Sequence, residues 1–252
     1  METNVDLTMS GIIIAGAFGF LLGLSAHDIA VQGLSDDRPL RPFQGVCPQC
    51  GHNRGWFHVR CPNCDRVIQR EPVIALATSL MAAAMFHLIG LDWLLVPYFG
   101  FLTLTAALIV TDLEEFRIVD RLNLAGTAIL AVLLTVLALL AGEPAALLRG
   151  LGGAAAYFFG AMLMFIVARG RGFGAGDVKL APVLGLFTAF ISWGTLGWAV
   201  FATAMIGGVI AFAMVIAGAA KMKTELPYGP PMILGAWLAI VLAAIGTFPI
   251  SS

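Results

Sequence analysis

Eight stretches of this chain carry no Asp, Glu, Lys or Arg, and they constrain the fold more than any motif does. They cover residues 9–26, 73–91, 93–111, 122–142, 151–168, 180–193, 194–220 and 230–250. Most reach the roughly 18–25 residues a helix needs to cross a ~30 Å hydrocarbon core. The run 180–193 covers only about 21 Å at ~1.5 Å per residue. Its helix is therefore expected to start near Gly176, which places Asp177 just below the headgroups. Composition agrees, with 60% hydrophobic and 12% charged residues, about half the charged share of a soluble domain. The fold expected is all-α: a polytopic integral membrane protein of about eight transmembrane helices. Residues 1–30 are read as the first transmembrane helix, 31–72 as a cytoplasmic loop and 73–252 as the helical core.

The first run is no secretory signal, because "METNVDLT" before it holds two acids and no base, the reverse of the usual pattern. Thirteen of the fourteen Lys and Arg lie in residues 31–72, 112–122, 169–179 and 221–229, and only Arg149 lies on the other side. The positive-inside rule makes those four segments cytoplasmic and puts both termini outside. A net charge of −1 says nothing about a nucleic-acid partner, but no basic stripe exists, and no nucleic acid is expected as a partner.

Residues 31–72 hold all four cysteines, in "CPQCGHNRGWFHVRCPNC". Cys47, Cys50, Cys61 and Cys64 form C-x2-C-x10-C-x2-C, in which each knuckle aims two thiolates at a common tetrahedral metal. Pro48, Pro62 and Gly51 suit the tight turns. Two disulfides are the competing arrangement, but cytoplasmic thiols stay reduced. The expectation is one structural zinc, with His52 and His58 as bystanders, and no open position for catalysis.

Two rare acidic positions remain. Asp112 ends the third run in "ALIVTDLEEFRIVDRLN", followed by Glu114 and Glu115, which read as a solvated helix end. Asp177 lies in "GFGAGDVKLAP", behind Gly172, Gly174 and Gly176. Asp120 would stand about 12 Å from Asp112 on a continuous helix, out of reach unless the helix breaks. Asp112 and Asp177 share the cytoplasmic side, and an ionisable residue at membrane depth is a functional candidate by default. Two carboxylates in a partly dry site can share a proton and activate water. The glycines would let a substrate strand approach the backbone beside Asp177. An ion pair of Asp177 with Lys179 or an arginine fits the same residues, as does a transport relay. Close helix crossing also accounts for the glycines.

"GAGDVKL" resembles the G-x-G-D motif of the type IV prepilin leader peptidases, which are polytopic aspartic proteases. "TDLEEFRIVDRLN" resembles their first catalytic segment, "LPYGPPMILGAW" their entry to the last helix, and the tetracysteine module with "VIQREPVIALAT" their long cytoplasmic loop. The resemblance runs from Cys47 through most of the chain. It implies that Asp112 and Asp177 are the catalytic pair, that Gly174 and Gly176 are the motif glycines, and that the four cysteines hold zinc. Lys179 is placed beside the substrate, either tuning Asp177 or meeting lipid phosphate. The implied substrate is a prepilin or pseudopilin, cut on the cytoplasmic face of a bacterial inner membrane after a glycine that precedes an apolar helix. The implied second activity is N-methylation with S-adenosylmethionine. Four departures stand out. Val119 replaces a proline, Ala75 a glutamate, and Gly23 and Asp28 an Asn and an Arg; the cysteine spacer is also short. They leave the peptidase expectation intact and weaken the methyltransferase one. A presenilin-like intramembrane protease and a proton-coupled transporter with a zinc module are the alternatives, and a pure assembly factor is a third.

Overall fold

The computed structural model describes residues 2–34, 40–47, 49–53, 60–65, 70–115, 117–169, 174–216 and 228–246. Among the described residues eight helices follow one another: α1 (Glu2–Gly33), α2 (Arg70–Ile89), α3 (Leu95–Glu115), α4 (Asp120–Leu140), α5 (Pro144–Ala168), α6 (Ala175–Ile191), α7 (Trp193–Ile216) and α8 (Gly229–Ala244). Helices are the element that satisfies each backbone N–H and C=O within one apolar segment. Six of the eight are long and apolar enough to cross a membrane. α6 has 17 residues and α8 has 16, about 24–26 Å at ~1.5 Å per residue. The start of α6 at Ala175 matches the expectation from its short apolar run. α1 continues past residue 26 to Gly33, the first helix breaker after Gly23, so Asp28 and Gln32 are helical and buried.

The chain divides into two compact units, Met1–Thr111 and Asp112–Ser252. In the first, α1 packs on α2 through small residues. Gly19 stands against Ala82, and Gly23 against Ala75 and Thr78. Ala26, Ala30, Ala106, Ala107 and Val110 form a buried cluster with Ile74 at its edge. Gln32 ties the following loop to the end of α1. Its Nε2 donates to the carbonyls of Arg41 and Gln44 at 2.9 and 2.8 Å, and its Oε1 accepts from Arg41 N–H at 2.6 Å.

In the second unit α6 is the hub, packed against α4, α5, α7 and α8. It is buried along most of its length. A Cβ at Gly185 would overlap the carbonyl of Gly153 on α5, so this crossing depends on both glycines. The far end of α6 is closed by Arg149 of α5, whose guanidinium donates to the carbonyls of Ala189, Phe190 and Ile191 at 2.9, 2.7 and 2.9 Å. These are among the last carbonyls of α6, which lack intrahelical donors. A cation there also suits the negative end of the helix dipole.

Candidate active site

α3 stops at Glu115 and α4 starts at Asp120. The break between them carries Ile118, which organises the site. Its Cγ1 lies 3.1 Å from where a Cβ on Gly176 would sit, and its Cδ1 lies 3.1 Å from a Cβ on Gly229. Gly176 immediately precedes Asp177. Gly229 abuts the other acid, since its Cβ would stand 2.8 Å from Asp112 Oδ2. One isoleucine side chain therefore packs against the backbone beside both aspartates. Glycine at 176 and 229 is explained by this internal packing. Val119 follows with φ −73°, an angle that proline also adopts, so its departure from the family pattern leaves the backbone unchanged.

Asp112 and Asp177 are both buried, 5% and 6% exposed, and the charge of Asp112 acts on Asp177. Asp177 is the third residue of α6 and reaches back over its own helix start. The Gly174 N–H donates to Asp177 Oδ2 at 2.7 Å, and the Asp177 N–H donates to the Gly174 carbonyl at 3.1 Å. This is the carboxylate half of a capping box, and it fixes the rotamer of Asp177. Asp112 Oδ2 is buried and has no well-formed hydrogen-bond partner among the described residues, while the backbone N–H of Gly229 also acts on the Asp112 carboxyl. A buried acceptor without a well-formed partner is rare in a native fold and fits a catalytic role or a bound water. The phenol of Tyr228 and that of Tyr157 on α5 are within electrostatic reach of Asp177. Gly207 on α7 makes room for the Tyr228 ring, 2.9 Å from where its Cβ would be.

The Nζ of Lys179 meets Asp120 Oδ2 at 2.6 Å. The break after Glu115 lets Asp120 turn toward α6 instead of continuing along α3. Glu115 is exposed and Glu114 half-buried, as for a solvated helix end. Gly172 and His58 lie outside the described residues, as does Pro48. Sequence reasoning missed Ile118, Gly229 and Asn123. For Gly229 a signal existed in "YGPP", where a glycine precedes two prolines; nothing marked Ile118, an ordinary apolar residue in a polar stretch.

In the first unit the four cysteine sulfurs lie within 4.8 Å of one another and could hold a metal ion. Cys47 and Cys64 sulfurs are 3.5 Å apart, as are those of Cys50 and Cys61, and none of the four is in a disulfide. Tetrahedral ligation at ~2.3 Å needs sulfurs about 3.8 Å apart, so the donor set fits. The two knuckles repeat one turn. Gly51 N–H donates to the Cys47 carbonyl and Asp65 N–H to the Cys61 carbonyl, each at 2.9 Å. Both residues are left-handed, with φ 70° and 55°; Asp tolerates that region better than most residues. The His52 backbone N–H pulls the Cys50 thiol down to about 6, toward the thiolate that binds metal. His52 itself is exposed and gives the knuckle only its backbone.

Residues 98–250 match the type IV leader peptidase family. A "Prepilin leader peptidase/N-methyltransferase" of Pseudomonas aeruginosa is 27% identical over 213 residues, 78% of this chain and 70% of the relative. Proteins of the same name from Myxococcus xanthus and Bacillus subtilis are each 28% identical, over 82% and 78% of this chain and 66% and 70% of their own lengths. The chain thus spans about two thirds of the length of such relatives. No solved structure matches it significantly. The family match covers more than half of the sequence and contains both buried aspartates, and this chain belongs to the type IV leader peptidase family.

Proposed function

We propose that the chain is a membrane aspartic endopeptidase that removes the leader of prepilin-like proteins, with Asp112 and Asp177 as its catalytic pair. The observation that carries this is the open, buried Oδ2 of Asp112 next to Gly229, in a site where Ile118 ties the surroundings of both acids together. One aspartate takes a proton from water, which attacks the scissile carbonyl. The other hydrogen-bonds that carbonyl and then protonates the leaving amine. The relatives' names favour this reading over a presenilin-like protease or a transporter. The charge distribution supports a site facing the cytoplasm, in an inner membrane crossed several times, with both termini outside.

The cysteine module holds one zinc in this reading, as a closed four-thiolate site that fixes the loop and leaves no ligand position for substrate. S-adenosylmethionine enters as a second substrate only if the new N-terminus is methylated. The deciding experiment incubates purified protein with a prepilin-type peptide, with and without S-adenosylmethionine, and reads the products by mass spectrometry. Cleavage after the glycine before the apolar segment is the expected result, and an intact peptide overturns the proposal.

A further inference from the structure

Asn123, in the first turn of α4, is fully buried. Its Nδ2 donates to the Lys179 carbonyl on α6 at 2.6 Å, while its Oδ1 is buried without a hydrogen-bond partner. One turn on, the buried Thr127 Oγ1 also makes no hydrogen bond. A buried amide with an unsatisfied oxygen is costly against a well-packed apolar side chain. The one hydrogen bond it does make lands two residues after Asp177, on a helix that is weak at this point. Pro182 lies inside α6 and has no N–H to give the Val178 carbonyl four residues back. Above Asn123, at the edge of the same contact, Lys179 is paired with Asp120 at 2.6 Å, with both side chains about half exposed. An ion pair this exposed adds little stability, but it holds the side chain of Lys179 on the same partner helix as its carbonyl.

We infer that Asn123, assisted by the Lys179–Asp120 pair, is a positioning residue of the cleavage reaction: it clamps the first turns of α6 to α4 and so holds Asp177 at the distance from Asp112 that catalysis needs. The inference rests on the peptidase reading. Besides the clamp, the turn between Gly174 and Pro182 is held by the packing of Gly176 on Ile118, by the burial of Val178, Leu180 and Ala181, and by the helix's own interrupted hydrogen bonds.

The test has two arms, both on the full-length protein in detergent. Asn123→Leu keeps volume and removes the donor; Lys179→Met breaks the exposed pair, and Lys179→Arg restores it. In the first arm, hydrogen exchange of the amides at residues 177–181 is compared with wild type. Faster exchange, about tenfold in Asn123→Leu and less in Lys179→Met, is expected, with global melting unchanged. In the second arm, Asn123→Leu should lower kcat on a prepilin-type peptide about 10- to 100-fold with KM within about twofold, the cost of a misplaced catalytic group. Lys179→Met should show a smaller loss that Lys179→Arg repairs. Wild-type exchange rates in Asn123→Leu would overturn the clamp, as would a loss carried by KM. If Asn123→Leu does not fold, the Lys179 pair of variants decides alone. A wild-type protein that cleaves nothing sinks the peptidase reading, and the exchange arm still judges the clamp.

Discussion

At the scale of single residues, the site combines two acids with the small backbone positions that admit them. Asp112→Asn and Asp177→Asn should each lower leader cleavage by about 10³-fold or more while the protein stays in the membrane, since each removes a proton-transfer group. Near-normal cleavage by either variant would mean the pair is wrongly assigned; Asp120→Asn should be milder, because its carboxylate is exposed and pairs with Lys179. The glycines separate in the same assay. Gly229→Ala puts a methyl 2.8 Å from Asp112 Oδ2, whereas a Cβ at Gly174 would stand 3.5 Å from Asp177 Oδ2. Gly229→Ala should therefore reduce kcat about 10- to 100-fold and Gly174→Ala by much less; equal losses would show that Asp112 has room to yield. The two acids were legible in the sequence because charge is scarce in it. Ile118 was not, because the meaning of an apolar side chain lies in what it touches.

At the scale of elements, hydropathy located all eight helices, and the short run at 180–193 even placed the start of α6. It could not locate the break at 117–119, where no glycine or proline stands. That break decides the partner of Lys179, and so the sequence offered Lys179 two partners and missed Asp120. The cysteine module was more transparent, since ligand spacing nearly dictates knuckle geometry. Purified protein should contain one zinc per chain, and the double variant Cys47→Ser with Cys50→Ser should lose it. Cleavage should fall only in part, because no ligand is proposed to touch substrate. Disulfides mapped in protein kept under reducing, anaerobic conditions would overturn this.

At the scale of the whole molecule, the departures from the family pattern other than Val119 lie in the first unit, and two of them meet. Gly23 and Ala75 are in backbone contact between α1 and α2, and Ala75 has no exposed surface. The polar pair that the resemblance leads one to expect is thus replaced by a close crossing of two small residues, with no space for a carboxylate. Cleavage is therefore expected to need no S-adenosylmethionine, and methylation of the product to be weak or absent. Co-expression with a substrate decides: a mature N-terminus uniformly heavier by one methyl group would show that another residue does the work. Arg149 carries a different consequence, for biogenesis. It precedes in the chain the three carbonyls that it caps. In the proposed orientation it must be carried across the lipid as a bare cation, before the acceptors that neutralise it have been synthesised. The α4–α5 hairpin thus enters the membrane as an unfinished part, and the arrival of α6 both completes its outer end and brings Asp177 to the inner one.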